Sequence, residues 1–287
     1  MVKLFIKTKV VIVIPEPDIA SNTIWKGLEN GSYFKESDLT FDSKMVFQHE
    51  KSPDDIKVVF SKKDGVESNH LEKKIQADLF IVASRHRAAS GTPALLIHPT
   101  GNWSKITLAG RERELSYTSS QALKFGLLHL QNKKEEYSLE NYKVDLEVTH
   151  HGPTSMKCPL IFMELGSSED QWKDEKAAKA VGEAIVETAQ QFINTPNFKG
   201  ECFIGLGGNH YAYRFHKYLM QNENAYISHM AAKHTLGDLD KENISQAFTK
   251  TLETPIGALI DKKGARSEQR KNAIELLESL GKEYFLI

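Results

Sequence analysis

Cysteine is nearly absent: the 287 residues hold two, Cys158 and Cys202, isolated from each other and from any metal-binding spacing. That excludes a disulfide framework and a thiolate zinc site, and a reducing, cytoplasmic compartment is expected. An excess of charge is also lacking, since 37 Lys and Arg face 38 Asp and Glu for a net of −1. Coating nucleic acid by bulk electrostatics requires clustered cations, so that class is excluded and no DNA partner is expected. No apolar run is long enough to span a bilayer. The N-terminal MVKLFIKTKVVIVIPEPD is interrupted by Lys3, Lys7 and Lys9 and is followed by no small-residue cleavage site, so neither a signal peptide nor a membrane span is expected. Repeats, low-complexity tracts and Pro/Ser linkers are missing, which favours one continuous domain over 1–287. Missing too are the HExxH helix of zinc proteases and the GxSxG elbow of serine hydrolases, so neither of those layouts is expected.

What is present is a succession of short apolar runs. Strand-like segments occur at LFIKTKVVIVI, KMVFQHE, IKVVFSK, DLFIVASRH, ALLIHPTG, YKVDLEVTHH, PLIFMELG, ECFIGLGG, AYISHM, GALIDKK and EYFLI. Helical patterns lie between several of them. In DEKAAKAVGEAIVETAQQFINT, Ala177, Val181, Ala184, Ile185, Thr188 and Phe192 make one apolar stripe, with Asp174 and Glu175 acidic at its start. Helices are also predicted over 118–134, 243–253 and 267–280, the last with a Ser cap and a closing Gly281. With 40% hydrophobic residues a substantial core can form. Strands interleaved with helices predict an α/β fold, three-layer α/β/α around a mixed central sheet.

The histidines fall at recurrent places. His86 closes FIVASRH, His98 closes ALLIHPTG, His150 and His151 close YKVDLEVTHH before Gly152-Pro153, His210 follows CFIGLGGNH, and His229 sits in YISHM. Glu164 stands at the end of LIFMELG. Parallel strands bring their carboxyl ends to one edge, where open α/β sheets put their sites, so this set should line one cleft. Successive strand side chains point to opposite faces, so His150 and His151 share a site only if the backbone turns between them. Core packing, metal ligation and catalysis are all open to them; we expect at least one to face substrate or metal from a solvent-facing strand end. His49, His70, His129 and His216 lie on a helix or in polar surroundings and are read as surface residues.

Two further features bear on substrate. Gly205, Gly207 and Gly208 in GLGGNHY match neither common phosphate-loop spacing, and are read as permitting close backbone approach to a substrate or as a plain turn. Short basic groups, Arg85 with Arg87 and Arg111 with Arg113 among them, are separated by acidic residues, and each alone reads as a solvated face.

The blocks SRHRAASGTPALLIHPTGNW, VTHHGPTS, MELGSSEDQW, GLGGNHYAYRF and ISHM, in that order, resemble the signature blocks of the archaeal and plant type of D-aminoacyl-tRNA deacylase, over nearly the whole chain. The resemblance implies a cytoplasmic editing enzyme that hydrolyses the ester between a D-amino acid such as D-tyrosine and the tRNA 3′ adenosine. It also implies Zn2+ and a fold related to peptidyl-tRNA hydrolase and nucleoside phosphorylases. His86, His151 and Glu164 are then expected to be catalytic, His150, His210 and His229 to hold the metal, and Arg85, Arg87, His98, Gly207 and Gly208 to bind substrate. The expected partner is the acceptor end of an aminoacylated tRNA, with Arg85, Arg87, Arg111 and Arg113 as the cations to hold it and Trp103 either a stacking platform or ordinary packing, and the expected state is a monomer. Two positions depart from the family pattern, His234 where Tyr is expected and Asn209 where a smaller residue is; neither removes a histidine. The chemistry suits the residues, because an aminoacyl ester needs an activated water and a place for the oxyanion. A zinc exopeptidase or nucleoside phosphorylase-like enzyme, or a non-catalytic RNA-end or metal-binding module, are the alternatives.

Overall fold

Six consecutive residues, Val10–Pro15, are buried without a break, which marks a strand covered on both faces and lying inside a parallel sheet. The computed structural model describes residues 5–106 and 108–287. Its first part holds β1 (Ile6–Lys7), β2 (Val10–Pro15), α1 (Ile19–Asn30), β3 (Phe34–Phe41), β4 (Lys44–His49), β5 (Ile56–Ser61), a 3-10 segment (Gly65–Lys73), β6 (Ile75–Gln76), β7 (Leu79–Arg85) and β8 (Ala94–His98). Then come α2 (Ser120–Glu136), β9 (Lys143–Leu146), β10 (Leu160–Gly166), the single turn α3 (Glu169–Trp172) and α4 (Glu175–Asn194). The last third adds β11 (Glu201–Leu206), α5 (Tyr213–Gln221), β12 (Ala225–Ala231), α6 (Lys241–Thr249), β13 (Gly257–Ile260), α7 (Ser267–Ser279) and β14 (Glu283–Leu286).

The central sheet has eight strands in the order β3-β4-β5-β2-β7-β10-β8-β9 and is mixed, as expected. β5, β2, β7 and β10 run parallel, whereas β8 is antiparallel to β10 and β9 follows β8. Helices α1, α2 and α4 cover one face, where Ile24, Leu28, Leu123, Leu127, Val181 and Ile185 pack on Val10, Ile12, Ile81 and Ile161. On the other face Val11, Val13, Phe80, Val82 and Phe162 meet Leu71 and Met156 under the 3-10 segment and its neighbouring loop. The α4 stripe lies inward, and Asp174 caps its first turn by accepting from the Ala177 N–H at 3.0 Å.

The sequence predicts one sheet; the chain adds the short parallel pair β1-β6 and a second large sheet. Four all-parallel strands, β12-β11-β13-β14, carry α6 and α7 on a core of Ile204, Leu206, Ile260, Ile244, Phe248 and Leu277. Other differences are local. The first run splits into β1 and β2 at Thr8-Lys9, and its Leu4 lies outside the described residues. α6 starts and stops earlier than predicted, and the N-cap of α7 is Arg266 rather than Ser267. β3, α1 and α5 were not anticipated; β3, FKESDLTF, is a polar edge strand with little apolar signal. The strand expected through His151 ends at Leu146. Among the described residues no helix is long and apolar enough to cross a membrane.

The two sheets are stitched together by polar contacts. The Glu253 carboxylate, beyond α6, receives hydrogen bonds from Ser119 Oγ (2.6 Å), Ser120 N (2.7 Å), Ser120 Oγ (3.0 Å) and Gln121 N (3.3 Å) at the start of α2. A buried carboxylate there satisfies donors that the first helical turn cannot pair. Glu253→Ala should lower the unfolding free energy by about 3 kcal/mol, since it strips charge-assisted bonds from several buried donors; urea denaturation of both proteins measures it.

Candidate functional site

Beyond β9 the chain leaves the central sheet and runs along the second one. Glu147 bridges Tyr211, Val148 N donates to the His210 carbonyl (3.0 Å), Thr149 N donates to the Met230 carbonyl (2.9 Å), and His150 bridges Thr100. This seam carries the two adjacent histidines. His151 takes a left-handed backbone with φ 43°, the turn needed to bring neighbouring side chains to one place. The His150 and His151 rings accordingly lie 4.4 Å apart by centroid. Neither is a solvent-facing strand end as expected: His150 is half-buried and His151 buried.

Strand register supplies the rest. His98 pairs with Phe162 across the antiparallel β8/β10 ladder, which puts it diagonal to Glu164 on the same face, with Nε2 3.4 Å from Glu164 Oε1. His98 thus enters the site from a strand running the opposite way, because it sits beside the middle of β10. His86 follows β7; its N–H bonds the Leu165 carbonyl (3.0 Å) and its carbonyl accepts from Trp172 Nε1 (2.9 Å). From there Nδ1 lies 3.3 Å from Glu147 Oε1 and 3.4 Å from Glu164 Oε2, and Nε2 lies 3.1 Å from the Tyr211 hydroxyl. His210 Nε2 is 2.6 Å from Glu147 Oε1 on the cleft side.

Charge divides the imidazoles into two kinds. Burial by itself would lower the His86 pKa, but Glu147 and Glu164 outweigh it and push it up to about 11. His98 is raised in the same way, burial being overcome chiefly by Glu164. Glu164 is held at about 2 and Glu147 well below the ordinary carboxyl range, because the facing imidazoles outweigh burial. His150 and His151 are driven down by burial and by the His98 charge, His151 to about 4. His150 Nδ1–H donates to the Val148 carbonyl (2.8 Å) and His151 Nδ1–H to the Gly152 carbonyl (2.6 Å), since a carbonyl can only accept.

Of the expected set, His86, His98, His150, His151, Glu164 and His210 come together, and all but His98 line one cleft of about 460 Å³ with Arg85 and Arg87. His229 does not join them. It is fully buried between Thr149 Oγ1 (3.2 Å) and the Lys250 carbonyl (3.3 Å), and burial pushes it down to about 4. Gly207 and Gly208 line no part of this cleft; Gly208 borders two adjoining hollows. Arg85 is engaged by Asp64 (3.0 Å) and Asp18 (3.4 Å), and Arg87 lies over the Trp172 ring at 5.1 Å. Trp103 is core, its Nε1 donating to the Met230 carbonyl at 2.9 Å, so it offers no stacking face. Arg113 is tied to Asp240 and the Asp238 carbonyl, and Arg111 pairs with Glu114 at 3.7 Å. The four histidines set aside stay outside the site, although His49 is buried rather than exposed.

Sequence reasoning missed Glu147, Tyr211, Asp18 and Asp64. Glu147 occupies a polar slot of an apolar alternation and so read as solvent-facing, yet it is fully buried. Among the described residues its carboxylate meets only the imidazoles of His210 and His86, and His98 Nε2 is left without a hydrogen bond. Buried polar atoms left without bonds, next to imidazoles whose Nδ1–H groups are fixed by backbone carbonyls, are what a metal centre requires. Three groups have ligand atoms within 4.8 Å of one another: His98, His150 and His151; Glu147, His150 and His210; and His86, Glu147 and Glu164. The residues present therefore fit a metal ion.

Comparison with known proteins identifies relatives over nearly the whole chain. Residues 73–285 match a family model described as D-aminoacyl-tRNA deacylase. A D-aminoacyl-tRNA deacylase of Pyrococcus furiosus is 32% identical over 280 residues, covering 96% of this chain and 98% of that protein. One from Methanosarcina barkeri is 33% identical over 279 residues, covering 95% and 88%. A crystal structure described as a conserved protein of unknown function superposes with a TM-score of 0.84 at 26% identity, over 97% of this chain and 95% of that one.

Two tests follow from the packing and charge. A Cβ at Gly166 would stand 2.6 Å from His86 Cβ and 2.8 Å from its carbonyl oxygen, so Gly166→Ala should cost about 1–3 kcal/mol by overpacking and displace the His86 ring. Denaturant unfolding and the imidazole resonances in NMR report both effects. The second concerns pH. His229, at about 4 when folded against 6.5 ordinarily, binds its proton more readily in the unfolded chain. Stability should therefore fall as pH drops from 6.5 towards 4, and His229→Gln should flatten that slope in melting curves taken across the interval.

Proposed function

From the premise that this chain belongs to the D-aminoacyl-tRNA deacylase family, we propose that it hydrolyses the ester joining a D-amino acid to the 3′ adenosine of tRNA, releasing both. The observation that carries the reading is the Glu147–His86–Glu164 cluster, buried yet opening through His150, His151 and His210 onto the cleft. Ester hydrolysis needs a base for the attacking water, positive charge near the carbonyl oxygen, and a proton for the departing ribose oxygen. The neutral imidazole of His151 supplies the base. His86, held protonated by two carboxylates, donates to the Tyr211 hydroxyl, whose own O–H is then free to donate to the carbonyl oxygen, and the proton taken from water by His151 is returned to the departing ribose oxygen. Glu164 keeps both His86 and His98 in place and charged.

Zinc is the ion that best suits a set of imidazole and carboxylate donors, and the residues to hold it are Glu147, His150 and His210. When bound it would supply Lewis acidity towards water and the ester carbonyl. The reading carries with it a cytoplasmic monomer acting as one catalytic domain over 1–287, supported by the fact that His86 and His210, from different sheets, meet at Glu147.

The deciding assay follows release of D-tyrosine and of L-tyrosine from charged tRNA, with and without a chelator. Release of the D form alone, slowed by chelation and indifferent to inorganic phosphate, is expected. His86→Ala should lower single-turnover hydrolysis by on the order of a hundredfold or more. Unchanged hydrolysis by a folded His86→Ala protein would remove the cluster from the mechanism, and phosphate dependence would replace hydrolysis with phosphorolysis.

A further inference from the structure

Beside the cleft lies a second, differently built hollow. In the four-stranded sheet the chain passes from β11 outward to β12, then returns to the other side of β11 to form β13. The carboxyl ends of β11 and β13 are therefore a switch point of an all-parallel sheet, the place where such sheets leave a crevice. Two loops form it. Gly207 and Gly208 after β11 adopt φ 113° and 83°, which side chains rarely allow, and Gly208 N donates to the Gly264 carbonyl at 2.9 Å. A Cβ on Gly264 would stand 2.3 Å from Gly208 N, so the loops can approach this closely only as glycines.

Two hollows of about 250 and 400 Å³ share Gly208, Asn209 and Lys233, and are bordered by Arg214, Lys263 and Arg266. The nearby acid is spent: Asp261 is buried, with Oδ1 accepting from Lys263 N (3.0 Å) and Gly264 N (2.9 Å) and lying 3.8 Å from Arg214. The side chains of Lys233, Lys263 and Arg266 pair with no carboxylate among the described residues. Tyr213, 63% exposed, stands at the rim. The crevice is continuous with the cleft, because His210 borders both and Tyr211, which touches His86, lines the smaller hollow.

We propose that this crevice holds the phosphodiester backbone of the substrate's single-stranded 3′ end, with Lys233, Lys263 and Arg266 on the phosphates and Tyr213 stacking on a base. The proposal rests on the deacylase reading of the neighbouring site. Unpaired cations in a preformed hollow suit phosphates, and exposed aromatic faces suit unstacked bases, a combination that selects single-stranded RNA over a free anion. The position is right for an RNA whose last ribose carries the ester into the histidine cluster.

The test uses a fluorescent RNA hairpin with a single-stranded CCA 3′ end and a blunt version lacking it. Lys263→Glu/Arg266→Glu and, as a milder variant, Lys233→Gln are compared with wild type, folding being checked by circular dichroism. The double variant should weaken binding of the overhang hairpin by about tenfold or more and flatten its salt dependence, with little effect on the blunt hairpin. It should raise the KM for D-tyrosyl-tRNA while D-tyrosyl-adenosine, which lacks a phosphodiester, is hydrolysed as before. Unchanged affinity for the overhang hairpin, or equal losses on both hairpins, would overturn the proposal. Failure of wild type to hydrolyse either ester would instead overturn the deacylase reading, and the hairpin titration would still decide the crevice.

Discussion

Two carboxylates sealed from water, Glu147 and Glu164, share one imidazole, and that arrangement constrains everything around it. A buried ionised carboxylate is tolerated only where opposite charge faces it. His86 supplies that charge to both acids, His98 adds to it from β8, and His210 approaches from the second sheet. Removing any one partner leaves a charge stranded. The cluster therefore fixes the register of β8 on β10, the course of the 147–151 seam and the docking of the loop after β11, since each delivers one of its members.

The same cluster sorts the histidines by chemistry. His86 and His98, facing carboxylates, hold their protons; His150 and His151, facing other imidazoles and backbone carbonyls, lose them. One small volume thus offers both an acid and bases near neutral pH, without a serine or cysteine nucleophile. The separation of roles comes from surroundings, as physical reasoning about acid and base pairs anticipates.

Much of this was legible in the sequence because strand ends carry polar side chains against an apolar run. His86, His98, His150, His151, Glu164 and His210 stood out on that ground, and the order of signature blocks carried the family resemblance. His229 met the same criterion and failed it, because Thr149 and the Lys250 carbonyl enclose it in mid-strand, where position along a strand says nothing about which face opens to solvent. Glu147 was passed over for the converse reason: polar alternation implies solvent unless another element covers it, and here the second sheet does. That second sheet was hidden because its strands have the same apolar signature as the first and differ only in their partners. Trp103 was readable as an aromatic, but whether an indole packs inward or faces a ligand is decided by the tertiary neighbours of its N–H.

The contacts joining the two sheets link residues far apart in the chain: Ser119 with Glu253, Trp103 with Met230, and Glu147 with His210. Loops of that length close slowly compared with local helices and hairpins. The centre is therefore completed late, since Glu147 meets His210 only after β11 and its following loop have left the ribosome. A nascent or truncated chain can hold most of the central sheet and still leave Glu147 without the His210 side of its surroundings. The same dependence gives the finished protein a built-in optical gauge of its assembly: Trp103, buried against Met230 across the junction, reports by its emission whether the two sheets are joined.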